Sequence, residues 1–432
     1  MSLRERLQER ANKLGRPVQV GLVGAGQMGT GLLSQMEKMA GMRVMACADV
    51  LPGRARAAYQ EASVDPALVS PDTDDVEVAA DAIAAGRRVA TTNADWLVSI
   101  PNLDVILECT GVPEVGARVC AAAIEAGKNT VNMNVETDAT IGYILAKKAQ
   151  EKGVVYTLVA GDEPGTIKEM YDFAEALGFE IVTVGKGKNN PLDRTANPDS
   201  CAPKAKAANM SAKMLASFVD GTKTMVEMTS IGNGTGYAPE RAGAYGPQCT
   251  VKDLANVFIP KADGGIFERR GAVDYAVGDV APGVFVIITT DQPKIINDLN
   301  YLRLNGNGKY WALYRPYHLA NLECPITVAK AALDGEVTLQ TNRVPVAETV
   351  ACAKRDLAPG EKLDSLGGFT MYGLIDRAEV ARAEGMLPLG LAVGATVVRP
   401  VKAGQPIRYD DVALVEGQTI LALRRAQDAL VA

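Results

Sequence analysis

The stretch VQVGLVGAGQMG, residues 18–29, decides the fold of this chain. Its apolar first half predicts a buried β-strand, and the pattern of residues 28–39 predicts the helix that follows. Gly24, Gly26 and Gly29 stand between them, where they permit a tight turn, a close approach of a pyrophosphate to the backbone and close helix–strand packing. The stretch therefore predicts a dinucleotide-binding Rossmann unit, with a plain strand-to-helix turn as the alternative.

The strand–helix alternation continues through the first third of the chain. Short β-branched runs alternate with alanine-rich amphipathic stretches as far as about residue 150, a pattern typical of βα units and a parallel sheet. Further strands are predicted over 43–50, 104–111 and 129–134, and further helices over 113–126 and 138–152.

The ends of the predicted strands carry the remaining cofactor candidates. Asp49 closes the second strand, where a carboxylate binds both ribose hydroxyls and favours NAD. Arg54 and Arg56 follow, and guanidinium groups there suit the 2′-phosphate of NADP, so both cofactors stay open. Since ligands bind at the carboxyl ends of parallel strands, the end of the strand over 104–111 is expected beside the nicotinamide. The predicted cofactor-binding residues are Gly24, Ala25, Gly26, Gln27, Met28, Gly29, Asp49, Arg54, Cys109, Thr110, Gly111 and Asn134.

Composition and charge exclude several classes of protein. The net charge of −6 is spread over segments of mixed sign, so no stripe for binding nucleic acid is predicted. No apolar run reaches the roughly 18 residues of a membrane span, and the charged start lacks the apolar core of a secretory signal. The seven cysteines are scattered and lack CxxC spacing, so reduced, mostly buried thiols are expected. A cytoplasmic protein without membrane association follows.

The second part of the chain changes character. Predicted strands over 154–161, 179–187, 283–290 and 310–318 are separated by long loops containing Gly, Asn and Pro. Such long loops are usually functional, and the segment is expected to form an α+β domain that also mediates homo-oligomerisation.

An internal repeat marks the last part. Residues 353–366 and 398–412 share the order basic, apolar, small or Pro, Gly, two residues, apolar, Asp. A duplicated strand–turn–strand unit with turns at Gly360 and Gly404 explains this order. We therefore predict an α/β fold in three domains: a Rossmann domain over 1–155, an α+β catalytic domain over 156–342 and a small β-rich domain over 343–432.

The run AGKNTVNMNVETDATIGYILAKKAQEKGVVYTLVAGDEPG, residues 126–165, resembles the join between the two domains of homoserine dehydrogenase. The similarity covers about the first 165 residues. Where that family carries an Ala-Asn-Lys motif with a catalytic lysine, this chain has Met133, Asn134 and Val135. The missing lysine counts against homoserine oxidation.

The remainder resembles the deoxyxylulose-5-phosphate reductoisomerase-like (DRL) enzymes, which add a C-terminal SAF domain to a homoserine-dehydrogenase-like cofactor domain. VAGDEPG (159–165), GKGKNNPLD (185–193), YWALYRPYHL (310–319) and the repeat carry this resemblance. It implies an NAD(P)H-dependent reductoisomerase acting on a small phosphorylated ketose in isoprenoid precursor synthesis. Two alternatives stay open: a dehydrogenase of another hydroxy acid, sugar acid or aldehyde, and an NAD(P)-binding sensor without turnover.

Two groups of residues are candidates for substrate binding and catalysis. The first lies in GKGKNNPLDR, predicted as a loop after a strand, where a dense set of cations and amides suits an anionic substrate or polarises a carbonyl. A solvated basic loop is the alternative. The second surrounds the only histidine, a candidate general acid or base whose alternative is a structural hydrogen bond. The predicted catalytic residues are Lys186, Lys188, Asn189, Asp193, His318 and Arg315.

Asp162 and Glu163 follow a predicted strand and face the expected cleft. Paired carboxylates there are suited to Mg²⁺ or Mn²⁺, which would bind adjacent substrate oxygens and stabilise an enediolate or alkoxide. Two acids placed at a helix N-terminus by its dipole are the ordinary alternative.

Overall fold

The structure, a computed structural model, describes residues 1–73, 75–208 and 210–431. The chain forms two compact units, and each consists of segments that are distant in sequence. The first unit contains Met1–Gly165, Leu319–Asn342 and Ala422–Ala432, and the second contains Thr166–His318 and Arg343–Leu421. The two boundaries between the three domains expected from the sequence stay a prediction beside this division.

The strands of the described residues alternate with helices in the first unit and cluster in the second. In chain order they are β1 (Val18–Val23), β2 (Met42–Ala48), β3 (Val89–Thr91), β4 (Val105–Glu108), β5 (Asn129–Asn132), β6 (Tyr156–Leu158), β7 (Glu180–Lys188), β8 (Ala272–Val277), β9 (Val284–Thr289), β10 (Tyr310–Arg315), β11 (Ala347–Ala353), β12 (Met371–Arg377), β13 (Thr396–Val397) and β14 (Val412–Ala413).

The α-helices are α1 (Leu3–Leu14), α2 (Gln27–Lys38), α3 (Arg54–Glu61), α4 (Val76–Ala84), α5 (Ala94–Leu97), α6 (Pro113–Glu125), α7 (Val135–Lys152), α8 (Glu163–Ala176), α9 (Pro198–Ala207), α10 (Ala212–Val219), α11 (Thr222–Thr235), α12 (Leu254–Val257), α13 (Pro293–Tyr301), α14 (Ala320–Asp334), α15 (Ala378–Ala383), α16 (Leu389–Ala392) and α17 (Thr419–Val431). Helix α7 begins at Val135, three residues earlier than the sequence pattern predicts, because the Asn134 side chain caps it.

The first unit has the α/β architecture predicted for the start of the chain. Its six strands lie in the order β3-β2-β1-β4-β5-β6, and every recorded pairing is parallel. The strand order reverses between β1 and β4, which in open parallel sheets marks the crevice where a ligand binds. Helix α14 packs its buried Cys324 and Val328 into the same core as Leu22 and Leu32, so a late segment of the chain completes this unit.

The second unit contains a mixed sheet in the order β10-β9-β7-β8. Strand β7 runs parallel to β8 and antiparallel to β9, and β9 pairs antiparallel with β10. Phe258, Phe267 and Phe285 lie in the core of this unit. Strand β10 ends at Arg315, before the predicted end at residue 318, because Pro316 lacks the N–H that a strand ladder needs.

Helix α11 includes part of a glycine-rich run whose composition is typical of a loop. Residues 231–235 of the run IGNGTGYAP, residues 231–239, form the last part of α11, and every residue of this helix except Lys223 is buried. Gly236 ends the helix with φ of 85°, in the left-handed region that favours glycine. The glycines of the run therefore belong to a packed helix and its terminus.

The repeated segments near the end of the chain pair with each other. Leu357 N donates to Val401 O at 2.8 Å, and Val401 N returns a bond to Leu357 O at 3.1 Å. Gly360 and Gly404 have φ of 93° and 79°, so both are the left-handed turn residues that the repeat predicts. Strands β11 and β12 form a separate antiparallel pair in this β-rich region.

The expectation of reduced, mostly buried thiols is met in the structure. The seven cysteines are free thiols, and all except Cys109 are buried. Within the described part of the chain, no helix combines the length and the apolar character needed to cross a membrane.

Candidate functional site

The glycine turn has the geometry that its sequence predicts. Gly24 has φ of 99°, and a Cβ there would lie 3.1 Å from the backbone of Cys109. A Cβ on Gly29 would lie 1.9 Å from the carbonyl oxygen of Gly24, so no side chain fits between α2 and β1. A Cβ on Gly26 would meet nothing within 4 Å. Gly24 and Gly29 are therefore required for packing, whereas Gly26 leaves space open to a ligand.

The start of α2 is suited to an anion. Gly26 is its N-cap and supplies no side-chain cap, and the first turn contains no acidic residue. Gly26, Gln27 and Met28 are exposed, while Ala25 is buried. Because the first N–H groups of a helix have no partner within the helix, they point toward this open space as donors. The turn thus fits the pyrophosphate of a dinucleotide.

Asp49 and Arg54 both contact the glycine turn. The Asp49 carboxylate accepts hydrogen bonds from Ala25 N at 2.8 Å and from Leu51 N at 2.9 Å. Arg54, which is exposed, donates from Nε to Ala25 O at 3.0 Å. Arg56 instead forms an ion pair with Asp72 at 2.6 Å. Of the two arginines considered for a 2′-phosphate, the structure places Arg54 at the turn.

The segment after β4 packs against the glycine turn. Cys109 Sγ donates to Gly24 O at 3.0 Å, and Gly111, with φ of 67°, is exposed. Asn134 is buried and donates from Nδ2 to Val112 O at 3.0 Å. Asn134 therefore joins the start of α7 to this segment, and its contact with the cofactor stays a prediction.

Glu108, the last residue of β4, is a residue that the sequence analysis missed. Its side chain is 0% exposed, and its Oε1 accepts hydrogen bonds from the N–H and the hydroxyl of Thr110. Burial raises the pKa of Glu108 to about 7, although those hydrogen bonds and the Asn134 amide act in the opposite direction. The available signal was a carboxylate closing an otherwise apolar strand.

The predicted metal ligands lie close to residue 165, where the first segment of the first unit ends. Val135, which replaces the lysine of the homoserine dehydrogenase motif, is buried in the first turn of α7. Asp162 is buried, and Glu163 is the first residue of α8. A carboxylate oxygen of Asp162 and one of Glu163 lie within 4.8 Å of each other. This pair of oxygen donors fits a hard divalent cation.

In the second unit, the GKGK run, residues 185–188, forms the end of β7, which extends one residue beyond the strand predicted over 179–187. A Cβ on Gly185 would lie 2.4 Å from Phe285 Cζ, and one on Gly187 would lie 2.2 Å from Ala281 N. Because successive strand residues point to opposite faces, the glycines allow close packing on one face and Lys186 and Lys188 share the other.

The sheet register places Arg315 on the same face as the two lysines. Val284 of β9 pairs with Lys186 on one side and with Arg315 on the other. Antiparallel neighbours point to the same face, and adjacent strands are about 4.8 Å apart, so Lys186 and Arg315 lie roughly 10 Å apart across the sheet. We refer to Lys186, Lys188 and Arg315 as the cationic face.

Glu227 on α11 pairs with Lys186 of the cationic face. The sequence analysis did not identify Glu227 as a candidate site residue. Its carboxylate forms an ion pair with Lys186, and Lys223 Nζ lies 3.8 Å from the same carboxylate. Glu227 belongs to no motif in the sequence, and only the tertiary structure brings it to Lys186.

Lys188 has a different environment. Its Nζ donates to Asn190 O at 2.7 Å, a neutral acceptor, and the side chain is buried. Burial and the nearby charge of Lys186 lower the pKa of Lys188 to about 8, and Asp220 partly offsets them. Asp220 itself forms a buried ion pair with Lys354 at 2.8 Å.

The remaining predicted residues lie outside the buried part of this face. Asn189 is exposed, and Asp193 accepts hydrogen bonds from the N–H and hydroxyl of Thr195, which lower the pKa of Asp193. These bonds place Asp193 in a turn with Thr195, and its catalytic role stays a prediction. Arg315 stacks on the Tyr317 ring at 4.6 Å, and His318 is half-buried beyond the end of β10.

Three family models match successive parts of the chain. They are the NAD-binding domain of homoserine dehydrogenase over residues 24–158, the catalytic domain of oxidoreductase DRL over 161–324 and the SAF domain over 348–413. The chain belongs to the DRL-like oxidoreductases. The residues that match the homoserine dehydrogenase model include the glycine turn, and those that match the DRL model include the cationic face. This DRL-like chain is accordingly an NAD(P)-dependent enzyme.

Solved structures with a similar fold are distant. A probable dehydrogenase from Thermotoga maritima is 13% identical, with a TM-score of 0.43, over 74% of this chain and 90% of that chain. A putative myo-inositol dehydrogenase from Sinorhizobium meliloti is 13% identical, with a TM-score of 0.38, over 75% and 92%. No curated protein matches the DRL-like chain.

Proposed function

We propose that this enzyme acts on a small phosphorylated ketose, whose rearrangement forms an aldehyde that is reduced with NAD(P)H as the hydride donor. The first unit binds the nucleotide at the glycine turn, and the second binds the anionic substrate at the cationic face. The reaction implied by the DRL resemblance is the reductive isomerisation of 1-deoxy-D-xylulose 5-phosphate, which belongs to isoprenoid precursor synthesis.

The environment of Lys188 is the observation that carries this proposal. A buried ammonium group bonded to a carbonyl and placed beside a second lysine is poorly compensated for its lost hydration. A phosphate bound on the same face would provide the missing negative charge and accept charge-assisted hydrogen bonds. Arg315, which lies across the sheet from Lys186 on the cationic face, has a guanidinium group. Among side chains this group is best suited to bind a phosphate through two hydrogen bonds.

Lys188 also supports a role in the chemical step. Its pKa of about 8 lies close to neutral pH, where a group exchanges protons most effectively with a substrate oxygen. We assign to Lys188 the donation of a hydrogen bond, and then a proton, to the carbonyl oxygen as it gains charge. Lys186, paired with Glu227, orients the phosphate.

The nucleotide and the metal fit residues of the first unit. NAD(P)H, when bound, supplies the hydride, and the exposed N–H groups of α2 bind its pyrophosphate. Asp49 suits the ribose hydroxyls of NAD, and Arg54 suits the 2′-phosphate of NADP. Asp162 and Glu163 are proposed to hold Mg²⁺ or Mn²⁺, which would polarise substrate oxygens.

Purified enzyme tests the proposal directly. NADPH oxidation should follow addition of 1-deoxy-D-xylulose 5-phosphate with Mn²⁺, and the dephosphorylated ketose should be a far poorer substrate. Absence of turnover with the ketose phosphate, together with reduction of NAD⁺ by a hydroxy acid, sugar acid or aldehyde, would instead support a dehydrogenase. Tight cofactor binding without turnover of any of these compounds would support a sensor.

A further inference from the structure

The end of β4 places a buried acid next to the segment expected to contact the nicotinamide. Glu108 directly precedes Cys109, whose backbone lies 3.1 Å from the Cβ position of Gly24. Glu108 is therefore one residue away from the wall of the glycine turn. No described hydrogen bond reaches its Oε2 atom, which is buried. One oxygen of this buried carboxyl group therefore has no structural role that the described hydrogen bonds show.

We propose that Glu108 sets the preference of the first unit for oxidised over reduced cofactor. The inference rests on the proposed function, because it takes the nicotinamide to lie beside residues 109–111. The oxidised nicotinamide ring carries a positive charge and the reduced ring is neutral. An ionised carboxylate in a buried site attracts the oxidised form and has no comparable attraction for the reduced form.

The groups around Glu108 do not cancel its charge. The titratable groups that interact with it are Glu136, in the first turn of α7, and the thiols of Cys109 and Cys120. Burial raises the pKa of both thiols well above its ordinary value, so the thiols stay neutral. Glu136 is itself an acid, as is Asp138, which acts on Cys120. A positive ring would therefore be the favourable partner for an ionised Glu108.

The preference follows the protonation of Glu108. Above a pH of about 7 the carboxylate is ionised and binding of the oxidised cofactor is strengthened; below it the neutral acid gives no such gain. If the positive ring lowers the pKa of Glu108 by one unit, affinity for the oxidised form rises about tenfold across this range. Affinity for the reduced form should change little.

Glu108→Gln provides the test, since glutamine has the same shape and its amide oxygen can accept from Thr110. Dissociation constants for NAD(P)⁺ and NAD(P)H are measured by titration calorimetry on the full chain between pH 5.5 and pH 8.5. The wild type should favour the oxidised form about tenfold more at high pH than at low pH, and the variant should show a constant ratio. Glu125→Gln, the same change at the far end of α6, is the matched control and should behave as the wild type.

If the ratio of the affinities for oxidised and reduced cofactor still depends on pH in Glu108→Gln, the inference is overturned. If that variant does not fold, as judged by circular dichroism, the wild type still decides: binding of oxidised cofactor near pH 7 should release protons, and binding of reduced cofactor should not. Equal proton release for both forms would contradict the role of Glu108. Failure of either cofactor to bind would instead refute the proposed function.

Discussion

Lys186 Nζ and the Glu227 carboxylate form an ion pair in the interior of the second unit, with side chains only 7% and 3% exposed. The lysine comes from strand β7 and the glutamate from helix α11. This pair fixes one cation of the face that we propose to bind substrate phosphate, and it leaves Lys188 beside it with a neutral acceptor.

Removing the acid of this pair should destabilise the enzyme. Glu227→Ala leaves a buried ammonium group without its partner, which typically costs about 3–5 kcal/mol. Urea denaturation should show a loss of that size in the free energy of unfolding. Glu268→Ala, which removes an exposed partner of Lys261, is the control and should leave stability unchanged. Equal effects of the two substitutions would contradict the interior role of Glu227.

The pH profile should report the charge of Lys188. Since only the protonated lysine can donate a proton to the carbonyl oxygen and its pKa is about 8, kcat/KM should fall as pH rises through that value. At about pH 9 only roughly a tenth of Lys188 is charged, so a loss of about tenfold is expected. Lys188→Met should lower kcat/KM and remove this inflection, whereas Lys252→Met, at an exposed position, should keep it.

Two glycines of the turn should separate folding from cofactor binding. Gly26→Ala places its Cβ in open space, so thermal stability should be retained while cofactor affinity falls at least about tenfold by obstruction of the pyrophosphate. Gly29→Ala drives a Cβ against Gly24 O and should cost at least about 1–3 kcal/mol of stability. Unchanged cofactor affinity in a folded Gly26→Ala variant would exclude the turn as the binding site.

Asp49 should discriminate between the two cofactors. Asp49→Asn removes a charged acceptor from the ribose site, so NAD affinity should fall about tenfold. NADP affinity should fall less or increase, because the substitution also removes repulsion of the 2′-phosphate. Fluorescence titration with both cofactors gives the ratio, and Asp72→Asn, which removes the partner of Arg56, serves as the control. An unchanged ratio would exclude Asp49 from ribose recognition.

The metal proposal concerns Asp162 and Glu163. Asp162→Asn should raise the Mn²⁺ concentration that gives half-maximal activity by about tenfold or more, because it removes one charged oxygen donor. Glu151→Gln, an exposed change near the end of α7, should leave the Mn²⁺ requirement unaltered. Full activity in the presence of a chelator would contradict the proposal.

Local chemistry made the first unit predictable. The glycine turn depends on neighbours in the chain: a strand, three glycines and a helix start suffice to define its geometry, and the structure agrees at Gly24 and Gly29. The turns at Gly360 and Gly404 were predictable for the same reason, since a positive φ is a property of a single residue.

Contacts distant in sequence were not predictable. Arg54 was among the predicted cofactor-binding residues and Arg56 was also considered for a 2′-phosphate, and only the position of Asp72 commits Arg56 to an ion pair away from the turn. The role of α14 in completing the first core was likewise hidden, because residues 319–342 follow the mixed sheet of the second unit in the chain.

The sequence by itself determined the glycine turn, whose geometry fits a dinucleotide, and the alternation of glycine and lysine in GKGK, since both are set by residues that are neighbours in the chain. Tertiary structure decided what the lysines face: β9 brings Arg315 into register with Lys186, and α11 brings Glu227 beside it. Burial, which depends on every surrounding element, then moved the pKa values of Lys188 and Glu108 toward neutrality.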